Sequence, residues 1–238
     1  MTPEERIIIA LDTPERDQAL RWVDQFSPYV RRFKVGLELV NSVGFGLFDD
    51  LREFEVFYDA KFHDIPTTVA GAARGAARRG VWMYNVHCPG GIEMMEAARS
   101  ASHDAAAETG RRPPLVIGVT VLSSLDSTVL RDQLGISESA EGYAVRMAKL
   151  AHAAGLDGVV AGGGEVAAIR EACGAEFLIM TPGIRPAGAA LDDQRRILTP
   201  AEAIRRGSTF LGIGRPVTRA ADPVTALRAI LDEVAAAD

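Results

Sequence analysis

Eight short apolar runs rich in β-branched residues recur along the chain, and helical patterns fill the gaps between them. The runs are IIIALD (7–12), FKVGLEL (33–39), VFYDAKF (56–62), VWMYNVH (81–87), LVIGVTVL (115–122), DGVVA (157–161), EFLIMTPGI (176–184) and TFLGIGRPV (209–217). Strands alternating with helices imply parallel βαβ units, and several runs are near-continuously apolar, as befits strands covered on both faces. Three helix starts are legible. Asp222 reads as an N-cap before Pro223, with Val224, Leu227, Ile230, Leu231 and Val234 at helical spacing. Thr199-Pro200-Ala201-Glu202 reads as a capping box, and Thr13-Pro14 as a third start. An open doubly wound sheet usually carries a Gly-rich turn after its first strand, but here LDTPERD follows. Eight units of roughly 30 residues instead predict a closed (β/α)8 TIM barrel, one domain spanning residues 1–238.

Composition narrows the function classes. Hydrophobic residues make up 47% of the 238 and charged residues 24%, enough apolar content for a large core and against disorder. The net charge of −6 disfavours non-specific nucleic-acid binding, so an anionic ligand needs a local site. Cys88 and Cys173 form no CxxC pair and read as core thiols of a reducing compartment. The N-terminal MTPEERIIIALD does not resemble a signal peptide, and no apolar stretch approaches the roughly 20 residues that span a bilayer. A soluble, cytoplasmic protein is expected.

The 26 basic residues include only three lysines, Lys34, Lys61 and Lys149. Where arginine serves nearly every surface, a retained lysine points to a need for a compact, titratable ammonium. Two of the three fall on predicted strands. Active sites of such barrels lie at the C-terminal strand ends. The residues there are Asp12 on the first strand, Lys34 on the second, Asp59, Lys61 and Asp64 on or after the third, and Thr120 to Ser124 after the fifth. Thr181-Pro-Gly-Ile-Arg185 follows the seventh, and Gly212-Ile-Gly214-Arg215 the eighth. Asp59 and Lys61, two apart, share a strand face, while Tyr58, Ala60 and Phe62 face the helices. Charge inside a barrel is costly unless paired, and alternating Asp and Lys neutralise each other, with Lys34 joining from the neighbouring strand. Gly212 and Gly214 leave room for backbone N–H groups to approach an anion, and Arg215 adds a fork suited to phosphate. The 182–196 loop, with Gly183, Arg185, Gly188 and Gln194, can fold over a ligand. His63, His87, His103 and His152 share no metal-ligand spacing, although His87 ends the fourth strand near the predicted site.

Taken together, IIIALD, KVG, DAKFHDIPTT, NVH-x-x-GG, TPGIRP, DQRRI-x-TP and IGRPV resemble the orotidine 5′-phosphate decarboxylase family, in the family's order from Ile7 to Pro223. The resemblance implies loss of the substrate's C6 carboxylate as CO2 to give UMP, with no metal and no organic cofactor. It implies that Lys61 is the proton donor to C6, that Asp59 faces the substrate carboxylate and that Lys34 ties the array together. It implies a homodimer with shared active sites, in which Asp64, Ile65 and Thr68 come from the partner chain. Asp12 matches a ribose contact and Ser123 a pyrimidine contact, while Arg185, Gln194, Gly214 and Arg215 match phosphate-binding positions. The chain departs from the usual pattern at Ala60, Thr67, Ser123, Cys88-Pro89 and the glycine-rich Ala161–Gly164 segment. Two alternatives stand beside this reading. One is a Mg²⁺-dependent decarboxylase or an aldolase acting on sugar phosphates through a similar DxKxxD strand. The other is a non-catalytic nucleotide sensor, whose mark would be loss of Asp59 or Lys61; both are present.

Overall fold

The computed structural model describes residues 1–186 and 198–237. Eight parallel strands, in the order β1 to β8, close into a barrel. They are β1 (Ile7–Ala10), β2 (Arg32–Gly36), β3 (Glu55–Phe62), β4 (Met83–His87), β5 (Leu115–Val119), β6 (Gly158–Val160), β7 (Leu178–Thr181) and β8 (Phe210–Ile213). Each lies within or beside one of the eight apolar runs, and helices connect one strand to the next. The ring is joined by β1 against β8, where Ile7 pairs with Leu211 and Ile9 with Ile213.

Alternation along the strands builds two cores. Ile8, Phe57, Met83, Ile117, Met180 and Phe210 fill the barrel interior. Their neighbours Ile7, Ile9, Phe33, Val35, Tyr58, Tyr84, Val116 and Leu211 point outward against helix residues such as Val23, Ala73, Ala98 and Leu227. Ala60 is in this outer layer, and Tyr58 and Phe62 meet edge-to-face at 5.7 Å. The same parity turns Arg32, Lys34, Glu55 and Asp59 inward.

Two of the three helix starts stand as read. Asp222 accepts the Thr225 N–H at 3.1 Å, and Thr199 with Glu202 completes a capping box. The third begins later than Thr13-Pro14. The helix is Arg16–Phe26 with Glu15 at the N-cap, because the Thr13 hydroxyl instead accepts the Glu15 N–H at 3.2 Å and turns the chain before the first helical residue. Cys88 is buried and Cys173 half-buried. Cys88 packs its sulfur over Gly118, which has no side chain to obstruct it, and burial pushes its thiol up to about 12. Among the described residues no helix is long and apolar enough to cross a membrane.

Candidate active site

At the C-terminal mouth four charges alternate in sign across the end of β1 and the adjacent strands β2 and β3. The Lys34 ammonium lies 2.8 Å from Asp12 Oδ1 and 3.4 Å from Asp59 Oδ2, and the Lys61 ammonium lies 2.6 Å from Asp59 Oδ1. Side-chain exposure is 13% for Lys34 and 14% for Asp59, but 30% for Lys61 and 58% for Asp12. The inner pair is therefore desolvated, while the outer members face the opening. Burial opposes the charge on Lys34, yet Asp59 and Asp12 outweigh it and hold its pKa above the ordinary lysine value. Burial likewise opposes the Asp59 carboxylate, and Lys34, Lys61 and a hydrogen bond from Asn85 outweigh it and hold its pKa below the ordinary value. Both groups stay charged at neutral pH, because the opposite charges around each outweigh its burial.

Simple strand alternation does not by itself bring Asp59 and Lys61 together. The β3–β4 register shifts between Tyr58 and Phe62, so four residues on β3 span what two span on β4. Within this bulge Lys61 has φ +50°, the one non-glycine residue with positive φ among those described. Its side chain turns back onto the Asp59 carboxylate.

Two adjoining cavities open at this end. One, of about 140 Å³, is lined by Lys34, Phe57, Asp59, Lys61, Val119, Ser123 and Val160, and so combines one charged wall with apolar ones. The other, of about 120 Å³, is lined by Asp12, Lys34, Ile184, Arg185, Gly212, Gly214 and Arg215. Lys34, Met180 and Pro182 border both. The first thus has the make-up of a reaction pocket for a flat, partly apolar ring. The second offers two guanidinium groups and glycine backbone to an anion.

Most of the residues singled out in the sequence meet here: Asp12, Lys34, Asp59, Lys61, Ser123, Arg185, Gly214 and Arg215 all line the cavities. Asp64, Ile65 and Thr68 do not. Asp64 and Ile65 border a separate open depression with His63, Pro66, Pro89 and Gly90, and Thr68 is exposed on the first turn of the helix Pro66–Arg78. Asp64 Oδ1 accepts the Ile65 N–H at 2.7 Å. Gln194 and Gly188 lie outside the described residues. His87 lines neither cavity; its ring lies 5.3 Å from that of His63, and burial, with His63 and Lys61 nearby, lowers its pKa. Among the described residues no three His, Cys, Asp or Glu side chains group as a metal site. In the glycine-rich turn after β6 a Cβ at Gly163 would lie 2.6 Å from Leu198, whereas one at Gly164 would meet nothing.

Sequence reasoning missed Asn85. This β4 residue is fully buried, donates to Asp59 Oδ1 at 2.7 Å and accepts the Lys61 N–H at 2.7 Å. The signal was an amide at an inward-facing position of an otherwise apolar strand.

A closed parallel barrel with a desolvated Lys–Asp array and an adjoining anion-ready cavity at its C-terminal mouth defines the molecule as a TIM barrel with the make-up of a phosphate-ligand enzyme. Residues 5–230 match the model of the orotidine 5′-phosphate decarboxylase / HUMPS family. The chain belongs to that family. It is 52% identical to orotidine 5′-phosphate decarboxylase of Moorella thermoacetica, over 98% of this chain and 94% of that one. Against the enzyme of the same name from Dichelobacter nodosus it is 50% identical, over 94% and 96%. Among solved structures it resembles orotidine 5′-phosphate decarboxylase from Lactobacillus acidophilus, with a TM-score of 0.85, 33% identity and coverage of 97% of this chain and 99% of that one. The relatives so named are carboxy-lyases.

Proposed function

We propose that the chain is a single-domain orotidine 5′-phosphate decarboxylase, converting orotidine 5′-phosphate to UMP and CO2 in pyrimidine biosynthesis. One observation carries the reading: the Asp12–Lys34–Asp59–Lys61 array borders a ring-sized cavity that adjoins a glycine- and arginine-lined one, with Lys34 on both.

The pyrimidine occupies the cavity of Lys61, Asp59 and Ser123, the ribose reaches Asp12, and the phosphate sits among Arg185, Gly214 and Arg215; Gln194, outside the described residues, is assigned to the phosphate from the family resemblance alone. The bond from C6 to the carboxylate breaks, CO2 departs, and the electron pair stays on C6. Lys61 delivers a proton to that carbon and is left as an amine, which solvent reprotonates. Negative charge grows on C6 only as the bond breaks, so an ammonium fixed there stabilises the transition state more than the ground state. Asp59 and Lys34 hold that ammonium in place, and Asp59 faces the departing carboxylate. At 4 Å and an effective dielectric of 20, one such contact contributes about 4 kcal/mol. Enzymes supply about 8–23 kcal/mol, so binding at the remote phosphate has to contribute to the same end.

Asp64, Ile65 and Thr68 are assigned to the neighbouring active site of a homodimer. Their placement outside both cavities supports this, as does Ile65, an apolar side chain 64% exposed beside the mouth. No metal or organic cofactor takes part.

Incubating the purified protein with orotidine 5′-phosphate and following the pyrimidine absorbance tests the proposal. Turnover to UMP that EDTA does not affect is expected. No turnover by folded protein would remove the reading, and EDTA sensitivity would favour a metal-dependent reaction on a sugar phosphate. For the shared site, mixing inactive Asp64→Asn and Lys61→Ala chains restores activity, because one hybrid site then has both residues. No recovery despite proven subunit exchange removes the sharing.

A further inference from the structure

Asn85 bridges the two functional groups of β3 from the strand beside it. The bulge removes Asp59, Ala60 and Lys61 from regular pairing with β4, and Asn85 lies opposite the gap. Its side chain replaces the missing ladder. Oδ1 accepts the Lys61 backbone N–H, and Nδ2 donates to Asp59 Oδ1, both at 2.7 Å. Only one orientation of the amide satisfies an N–H on one side and a carboxylate on the other, so the partners assign its oxygen and nitrogen. Asp59 Oδ1 is also the atom that meets the Lys61 ammonium. Asn85 thus fixes both ends of the Lys61 residue: directly at its backbone, and through Asp59 at its amine. Complete burial leaves the amide no water to exchange for either bond.

We propose that Asn85 is a positioning residue, which holds Lys61 in its left-handed backbone conformation and aims the Asp59 carboxylate so that the ammonium points at the reacting carbon. The inference rests on the proposed function for the identity of the reaction, but the geometry it describes does not depend on turnover. Asn85 touches neither cavity's ligand space, since neither lining includes it. Its effect is therefore on the chemical step more than on binding. Displacing a reacting group by about 1 Å costs on the order of 10²-fold in rate.

The charged and titratable groups facing Asp59 are Lys34 from β2, Lys61 from its own strand and, more distantly, the His87 imidazole from β4, with Asp12 beyond Lys34. Removing the amide donor leaves these in place and takes away one stabiliser of the carboxylate, so the Asp59 titration moves upward in pH.

The test compares wild type, Asn85→Ala and Asn85→Asp. The readouts are kcat and KM for orotidine 5′-phosphate across pH, UMP affinity by calorimetry, and the Asp59 carboxyl titration by carbon NMR. Asn85→Ala is expected to lower kcat on the order of 10²-fold, with UMP affinity within about threefold and the Asp59 titration moved upward. Asn85→Asp keeps the volume and the acceptor for the Lys61 N–H but sets a carboxylate against Asp59. It is expected to lose more kcat than Asn85→Ala, and it serves alone if Asn85→Ala does not fold. Wild-type kcat in Asn85→Asp overturns the proposal. So does a loss in Asn85→Ala that falls equally on UMP affinity with no movement of the Asp59 titration, since that marks packing alone. A wild-type protein inert toward orotidine 5′-phosphate, with the Asp59 titration still displaced in Asn85→Ala, removes the function reading and upholds the positioning role.

Discussion

Both ends of the barrel hold inward charge from β2 and β3, only two residues apart on β2 and four on β3, and they treat it differently. At the floor Arg32 meets Glu55 at 2.6 Å, and its guanidinium lies over the rings of Trp82 and Phe210 at 4.6 and 5.1 Å. Aromatic faces and a carboxylate hold that cation at the edge of a cleft that Tyr29 and Glu55 also line, and the apolar layer of Ile8, Phe57, Met83 and Phe210 lies directly above. At the mouth Lys34, Asp59 and Lys61 meet one another, the Asp12 carboxylate, the Asn85 amide and open cavity. A planar, weakly hydrated guanidinium suits stacking in a plug, whereas a compact ammonium suits delivery of charge or a proton at a point. The difference separates a cation held against aromatic faces, beside an open cleft of its own, from ammonium groups that line the two cavities of the mouth.

Lys61→Ala separates the two ends of the barrel most. Loss of the ammonium is expected to lower kcat at least about 10³-fold, from a contact of about 4 kcal/mol, while calorimetry shows UMP still bound. Near-normal turnover would place the two charge pairs on one footing. Asp59→Asn comes next, and its effect on stability depends on pH. Asp59 titrates below its unfolded value, so its contribution is complete above the ordinary carboxylate range and fades as pH falls through the depressed pKa. Urea unfolding at pH 7 should show the variant about 2–4 kcal/mol less stable, since two lysines lose a desolvated partner. That gap narrows only in strong acid. An equal gap at pH 7 and in acid would detach the effect from ionisation. Arg215→Ala follows, with kcat/KM for orotidine 5′-phosphate lowered about 10- to 100-fold by loss of a charge-assisted phosphate contact. The smallest effect belongs to the floor. Arg32→Leu is expected to cost about 1–2 kcal/mol in urea unfolding, discounted because Glu55 is 38% exposed. It should leave kcat unchanged; a fall in kcat would join the two ends.

The eight strands were legible because apolar, β-branched runs recur with helical spacing between them, and burial on both faces leaves few other ways to hold them. Lys34, Asp59 and Lys61 were legible from charge set at fixed parity inside such runs. What alternation could not supply was the bulge at Lys61, whose cause lies on another strand: a side-chain amide at residue 85 replaces backbone pairing near residue 61. The start of the Arg16–Phe26 helix slipped by the same kind of cause, because a threonine hydroxyl caps a turn as readily as a helix. Asp64, Ile65 and Thr68 fall where one chain cannot tell what they face, since their neighbours in the proposed dimer are not consecutive in any sequence.

The pairing of Ile7 with Leu211 has a consequence for assembly of the fold. Each neighbouring pair of strands is joined by a local βαβ unit, but the seam between β1 and β8 links residues some two hundred positions apart. Until β8 is in place, β1 keeps one flank of unpaired amides and carbonyls, an edge on which another nascent chain can template. Once the ring is shut no described strand has a free flank, so any association of finished molecules has to proceed through helices, loops and side chains.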